Sequence, residues 1–204
     1  MPNWCSSNIT ITGSKSVIDK IEKIVREEEK SDIGFLQFMY PCPKELEDTT
    51  ADGSKDKALI AKYGHSDWYR KTDSWGTKWD VNEFYGVDRQ GDAISFGFSS
   101  AWAPPLGAFE HFLSENDDCS IKAYYYEGGC DFAGVWEDGA DECISPSDYK
   151  SDDEFWNDGL GYDIEEQFNF LESMAEYEAE QEEANKEDVT EYVKGKAINI
   201  GEEA

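Results

Sequence analysis

The hydrophobic pattern is most regular between residues 93 and 113. Apolar residues first alternate with small or polar ones, at Ile94, Phe96 and Phe98. This period of two is typical of a half-buried strand. Pro104 and Pro105 end the strand, because proline cannot continue a ladder but fits the first turn of a helix. Apolar residues then recur at helical spacing, at Leu106, Phe109, Phe112 and Leu113. The stretch therefore predicts a strand over 93–99 and a helix over 105–115 that folds back on a sheet.

The N-terminal segment predicts a second strand and helix pair. Residues 4–12 alternate, with Ile9 and Ile11 on one face. Ser16, with Asp19 three residues later, fits a helix start. The apolar stripe that follows comprises Val17, Ile18, Ile21, Ile24 and Val25. We expect this helix to run to about residue 29.

Residues 31–77 are less regular and are interpreted as an insertion. The aromatic run 35–40 predicts a short strand, and the polar run 47–56 predicts a loop. Residues 57–70 predict one or two short helices, with Leu59, Ile60 and Tyr63 buried on one side.

The remaining pattern of the first 136 residues indicates an α+β fold. Strands are predicted at 78–86, 93–99, 120–126 and 131–136, with a turn at 88–92. Together with the strand and helix pairs above, the order is the ferredoxin-like βαββαβ arrangement, an antiparallel sheet with helices on one face. Residues 1–136 are therefore predicted to form this domain.

The C-terminal third has a different composition. Residues 137–204 contain 23 acidic and 4 basic residues, a net charge of −19 out of −28 for the whole chain. Apolar spacing predicts a helix over 163–184, followed by an acidic tract in solvent and a weak strand at 197–200. We interpret 137–204 as an acidic, mainly helical extension.

The charge and the cysteines exclude several classes of partner and compartment. A net charge of −28 opposes binding to nucleic acids or anionic membranes and favours a partner with a basic surface. The five cysteines include no C-x-x-C pair, and the sequence has neither a signal peptide nor a long apolar run. These features predict a reduced, cytoplasmic protein.

Three short blocks resemble a known family. They are Met1-Pro2-Asn3-Trp4-Cys5, with Ile9 to Gly13 close behind; Trp75-Gly76-Thr77-Lys78-Trp79-Asp80; and Ala101-Trp102-Ala103-Pro104-Pro105. In content and order they resemble the YubB-type ferredoxin-like domain family of phages, prophages and conjugative plasmids, over roughly residues 1–136. Ser7 and Ser74 depart from the asparagines expected there. The resemblance implies a mobile-element protein in a bacterial cytoplasm and implies no activity.

Two of these blocks supply candidate binding residues, namely Trp75, Lys78, Trp79, Asp80 and Trp102. Together with Trp4, the indoles are expected either to form a recognition pocket or to anchor the core and its turns. Lys78 is expected to form a structural ion pair or to contact a ligand.

Motifs for metal, cofactor or nucleophilic chemistry are absent from the sequence. His65 and His111 have no metal-like partner at i+4 and no cysteine in a nucleophile motif. A calcium loop fails because Leu59 stands where a glutamate is required. No P-loop or dinucleotide-binding fingerprint occurs. No metal, cofactor or catalytic residue is therefore predicted.

The acidic tract offers a second candidate surface, represented by Glu176, Glu180, Glu183, Glu187 and Asp188. Carboxylates along an extended helix can imitate the spaced charges of a duplex. The alternative is a solvated tail that keeps the protein soluble.

Three functions remain open at this point. The first is a non-enzymatic interaction protein, encoded by a phage or plasmid, that binds a host or mobile-element protein through its acidic surface. The second is a nucleic-acid mimic that inhibits a host defence or DNA-processing protein. The third is a small enzyme with a site near Trp75–Asp80 and Ala101–Pro105.

Overall fold

The computed structural model describes residues 3–26, 33–47, 57–63, 74–169 and 171. The chain divides into two compact units, Met1–Ser151 and Asp152–Ala204. The predicted polar loop at 47–56, the end of the predicted helix at 163–184 and the weak strand at 197–200 lie wholly or largely outside the described residues.

The first unit is an α+β structure built on a six-stranded antiparallel sheet. Its strands are β1 (Trp4–Thr12), β2 (Phe84–Gln90), β3 (Ala93–Ala101), β4 (Ser120–Glu127), β5 (Phe132–Glu137) and β6 (Ala140–Ile144). Its helices are α1 (Lys15–Arg26), α2 (Phe35–Met39), α3 (Lys44–Glu47), α4 (Lys57–Tyr63) and α5 (Leu106–Glu115). A 3-10 turn covers Pro146–Asp148. The strand order is β2-β3-β1-β4-β5-β6, and every neighbouring pair is antiparallel.

The two faces of the sheet differ in burial. In β1, Cys5, Ser7, Ile9 and Ile11 are buried, whereas the residues between them are exposed or partly exposed. Residues paired across a ladder share a face, so the buried side continues through Phe96 and Phe98 of β3. Phe35 of α2 packs edge-on against Phe96 at 5.3 Å between ring centroids. The helices α1, α2 and α5 therefore contribute the core on this face, and the other face points away from them.

The strongest periodic patterns gave correct predictions. The predicted stripe of α1 supplies Ile18, Ile21, Ile24 and Val25 to the core. The predicted strand and helix at 93–113 appear as β3 and α5, with Phe109 and Phe112 buried. Each of these elements buries one side, and burial is what a hydrophobic period records.

The predicted strand at 35–40 is wrong, because this segment forms α2. Apolar residues at 35, 36 and 39 also fit one helical face. The helix gains its N-terminal cap from Asp80, which is distant in sequence: Leu36 N and Gln37 N donate to its carboxylate at 2.7 and 3.0 Å. A cap from so far along the chain leaves no local signal.

The second core strand is also displaced from its predicted position. Residues 78–83 are not in a strand, and β2 begins at Phe84 and continues to Gln90. The predicted turn at 88–92 is reduced to Gly91 and Asp92, with Gly91 at φ +68°. The contacts of Asp80 explain why residues 78–83 are not in a strand. The Asp80 carboxylate accepts hydrogen bonds from the start of α2 and from Val81 N, so the segment follows α2 and does not extend along the sheet.

Strand β6 was not predicted, and it continues the sheet past residue 136. Its residues are mostly exposed, as on an edge strand, so they show no hydrophobic period. Asp138 and Gly139, at φ +48° and +96°, form the two-residue turn between β5 and β6. An Asp-Gly pair is a known hairpin signal, and it was the available sign of this strand.

In α4, neither Leu59 nor Ile60 nor Tyr63 is fully buried. Leu59 and Tyr63 are partly buried against the core, whereas Ile60 is exposed. The prediction that all three are buried on one side is therefore wrong for Ile60.

The described part of the second unit contains two helices, α6 (Asp152–Asn157) and α7 (Gly159–Phe168). Asp158 caps α7, since its Oδ1 accepts from Leu160 N and Gly161 N, both at 3.0 Å. The prediction of one helix over 163–184 is therefore wrong at both described ends: α7 begins at Gly159, and it ends at Phe168 because Asn169 adopts the left-handed conformation at φ +47°. Among the described residues, no helix combines the length and apolar character needed to cross a membrane.

Candidate functional site

A cleft of about 700 Å³ lies on the sheet face that points away from α1, α2 and α5. Its lining residues are Trp4, Trp79, Asp80, Asn82, Glu83, Tyr85, Ser99, Ser100 and Ala101. Trp4, Trp79 and Tyr85 are 54%, 44% and 49% exposed. No lysine, arginine or histidine is among the described residues that line it.

The sheet register brings Trp4 and the floor of the cleft together. Trp4 pairs with Ala101, and Ser6 pairs with Ser99. Since Cys5 and Ser7 point into the core, Trp4 and its cross-strand partners point to the opposite face. Ser99 and Ala101 have small side chains, which leave room above the strand for a bound group.

Tyr85 reaches the cleft because of a glycine. Tyr85 pairs with Gly97 across β2 and β3. A Cβ atom at Gly97 would lie 2.0 Å from Tyr85 Cε2, so the ring occupies the space that a side chain would take. Partial burial raises the pKa of Tyr85. Tyr85 is therefore a neutral, hydrogen-bonding aromatic group at physiological pH.

The segment after Trp79 forms the opposite wall, and Asp80 holds it in place. The Asp80 carboxylate accepts hydrogen bonds from Leu36 N, Gln37 N and Val81 N, at 2.7, 3.0 and 2.8 Å. Gly34 makes this possible, because a Cβ atom there would lie 2.0 Å from Asp80 Oδ2. Asp80 thus lines the cleft while its oxygens position α2 and the wall.

Lys78 contacts the aromatic wall from outside the lining. Its Nζ lies 5.0 Å from the centroid of the Trp79 ring, within the range of a cation–π interaction. The predicted alternatives for Lys78, a structural ion pair and a ligand contact, stay predictions.

Trp75 lies in the core and not in the cleft. It is 2% exposed, and its Nε1 donates to Tyr40 O at 2.8 Å. Its backbone oxygen accepts from Ala108 N at 3.3 Å. Of the two predicted roles for the indoles, the structure gives Trp75 that of a core anchor.

Trp102 is exposed but does not line the cleft. Its backbone adopts φ +73°, a strained region for a residue with a side chain, and its N–H donates to Asn3 O at 2.9 Å. The side chain is 45% exposed. Trp102 therefore follows the end of β3 as a separate exposed indole.

The predicted acidic surface at Glu176, Glu180, Glu183, Glu187 and Asp188 lies outside the described residues. The described part of the second unit has its own aromatic pair, Trp156 and Tyr162, with ring centroids 5.7 Å apart. Tyr162 donates to Glu166 at 2.7 Å.

Cys5 and His111, two side chains of types common in catalysis, pack within the first unit. Burial raises the pKa of Cys5 to about 12, so its thiol stays protonated. No cluster of three or more histidine, cysteine or acidic residues suited to a metal occurs among the described residues. His111 stacks on Tyr40 at 3.9 Å, and its Nδ1 lies 3.2 Å from Met39 O, away from the cleft residues.

Sequence reasoning identified Trp79 and Asp80 but missed Tyr85 and Glu83 as lining residues. Gly97 in the middle of a strand was a usable signal, because such a glycine often marks a close approach. Glu83 carried no signal, since it is one of 46 acidic residues.

No protein-family model and no curated protein matches the chain. Among solved structures, the chain is similar to the crystal structure of protein api92 from Yersinia pseudotuberculosis, of the family DUF1281. The identity is 10% and the TM-score 0.38, over 74% of this chain and 97% of the other. Similarity at this level does not assign a family or a function.

Proposed function

We propose that this protein is a non-enzymatic interaction protein that binds a partner protein with a basic surface. The observation that carries the proposal is the cleft, which combines three half-exposed aromatic side chains with carboxylates and has no basic residue in its described lining. Tryptophan and tyrosine dominate the binding energy of many interfaces, because they bury a large area at small entropic cost.

The net charge supports the choice of partner. At −28, the chain repels polyanions and attracts basic proteins over long range. Electrostatic attraction accelerates encounter, and aromatic contacts in a cleft slow dissociation. The two features together favour specific binding to a basic surface.

The contacts of Asp80 favour binding over catalysis at this cleft. A catalytic role for Asp80 or Lys78 would require that its charged group be directed at a substrate. Both oxygens of Asp80 accept backbone hydrogen bonds, and Lys78 lies over Trp79 outside the lining. These groups support the structure of the wall.

The mimicry hypothesis stays a prediction that depends on the acidic residues beyond 171. Its distinguishing requirement is a row of carboxylates at duplex-like spacing.

The strand order also supports a finer description of the fold. We infer a ferredoxin-like core formed by β1 to β4 with α1 and α5, extended by β5 and β6. The order β2-β3-β1-β4 within the sheet supports this inference. The resemblance of residues 1–136 to the YubB-type family further supports a phage or plasmid protein that acts on a host or mobile-element partner in the bacterial cytoplasm.

The proposal is tested by affinity capture from a bacterial lysate at low and high salt. The baits are the full chain, a Trp4→Ala/Trp79→Ala variant and a Trp156→Ala control, which removes an indole of similar exposure outside the cleft. We expect one basic partner with the full chain and the control, and its loss with the double variant. Equal capture by all three baits would contradict binding through the cleft.

A further inference from the structure

We propose that the cleft binds a cationic side chain, arginine or lysine, presented by a basic segment of the partner. The inference rests on the proposed function and specifies its chemistry. In this arrangement the rings of Trp4 and Trp79 contact the cation, and Glu83 supplies the counter-charge.

Both indoles are partly exposed in the cleft, where a bound group can reach them. Their ring centroids are 6.4 Å apart and their planes are inclined by 44°. The rings are thus tilted and do not stack face to face, and both line the cleft. A cation within about 6 Å of an indole centroid is attracted by the negative face of the ring.

The chain already shows this attraction at the same ring. Lys78 Nζ lies 5.0 Å from the Trp79 centroid. An ammonium group of the protein itself therefore adopts the contact that we assign to a partner's side chain. Trp4, which is 54% exposed, has no cation–π contact among the described residues and provides the second aromatic surface.

Glu83 is the carboxylate suited to meet the incoming charge. Asp80 uses both oxygens for backbone N–H groups, so its geometry is committed to the wall. Glu83 is exposed, lines the cleft and forms no ion pair with any described residue. A cation bound in the cleft would thus have, in the same lining, an acceptor that is not already engaged in an ion pair.

The experiment measures the affinity of short glycine-flanked peptides for the full chain, by calorimetry at about 0.15 M salt, where the Debye length is only about 8 Å. The probes contain arginine, lysine, or their neutral counterparts citrulline and norleucine. We expect the arginine or the lysine peptide to bind about 5- to 30-fold more tightly than its neutral counterpart. Whichever cation binds more tightly identifies the side chain that the cleft prefers.

Matched variants separate the cleft from the general negative charge. The Trp4→Ala/Trp79→Ala variant keeps the net charge unchanged. We expect its affinity for the cationic peptides to be about 5- to 30-fold lower than that of the native protein. Glu83→Gln is expected to lower the affinity for the cationic peptides by about 2- to 5-fold. Glu110→Gln makes an equal charge change on the exposed side of α5, and we expect it to have a smaller effect.

Two results would overturn the inference. Equal affinity for a cationic peptide and its neutral counterpart would show that the cleft takes an apolar group. Equal affinity of the native protein and the double-tryptophan variant would show that peptides bind the acidic surface elsewhere. In either case, a partner that is captured only when Trp4 and Trp79 are present would still uphold the proposed function.

Discussion

Asp80→Ala is predicted to destabilise the first unit, because the Asp80 carboxylate caps the N-terminus of α2. The substitution leaves Leu36 N and Gln37 N without their acceptor, and it removes the bond from Val81 N. Gly34, the residue before the helix, has no side chain that caps it. A helix of five residues has little stability of its own, so it depends on the packing of its buried side chains and on this cap.

The magnitude follows from the number and type of hydrogen bonds. Loss of a helix cap costs about 0.5–2 kcal/mol, and a hydrogen bond to a charged group contributes about 1.5–3 kcal/mol. Because the bonds share one carboxylate, their contributions do not add fully. We expect a loss of about 2–4 kcal/mol in the free energy of unfolding.

The assay is urea unfolding at neutral pH, followed by circular dichroism. Asp80→Asn should lower the free energy of unfolding by about half as much, because the amide keeps one acceptor oxygen. Asp92→Ala is the control, because it removes an exposed carboxylate for which an effect within about 0.5 kcal/mol is expected. A loss below about 0.5 kcal/mol for Asp80→Ala would refute the cap as the reason for α2.

Three further predictions concern other parts of the first unit. Burial raises the pKa of Cys5 from 9.0 to about 12, so its contribution to stability is full below pH 9 and declines between pH 9 and about 12. Cys5→Ala should remove that part of the alkaline decline in unfolding titrations, and an unchanged decline would contradict the assignment. Arg89 lowers the pKa of Glu22 below its ordinary value of 4.5, through a hydrogen-bonded ion pair of 2.6 Å. This stabilisation is present above pH 4.5 and is lost as pH falls through the lowered pKa. Arg89→Met should therefore reduce the fall in the free energy of unfolding on acidification. An identical pH dependence in the variant would refute the pairing. Gly97→Ala places a Cβ atom 2.0 Å from the ring of Tyr85; the ring is half exposed and can move, so peptide affinity should fall while the unfolding midpoint changes little, and the reverse pattern would show that the ring supports the fold.

The parts of the fold that could be predicted are those that bury one face of a regular element. The alternation in β1 and β3 and the stripe of α1 each record contact with a single core. Segment 35–40 could not be placed in the same way, because its state depends on a carboxylate at position 80. Non-local capping overrides local preference, and a single sequence does not display it.

The site could be predicted only in part for a similar reason. The Trp79–Asp80 block carried a recognisable composition, and Trp4 stood at the start of a predicted strand. Tyr85 and Glu83 join them because β2 begins at Phe84, later than its hydrophobic pattern indicated. Trp75 was predicted as a binding residue because it belongs to the same sequence block, but the structure places it in the core.

The central claim is tested most directly by the indole N–H signals of tryptophan in nitrogen-15 NMR spectra. The chain has seven tryptophans, of which Trp4 and Trp79 line the cleft, Trp75 is buried, and Trp102 and Trp156 are exposed elsewhere. On titration with the arginine or the lysine peptide, we predict saturable shifts of the Trp4 and Trp79 signals. The Trp75 and Trp156 signals should remain in place. Shifts confined to Trp102 or Trp156, or equal small shifts of all exposed indoles, would contradict binding at the cleft.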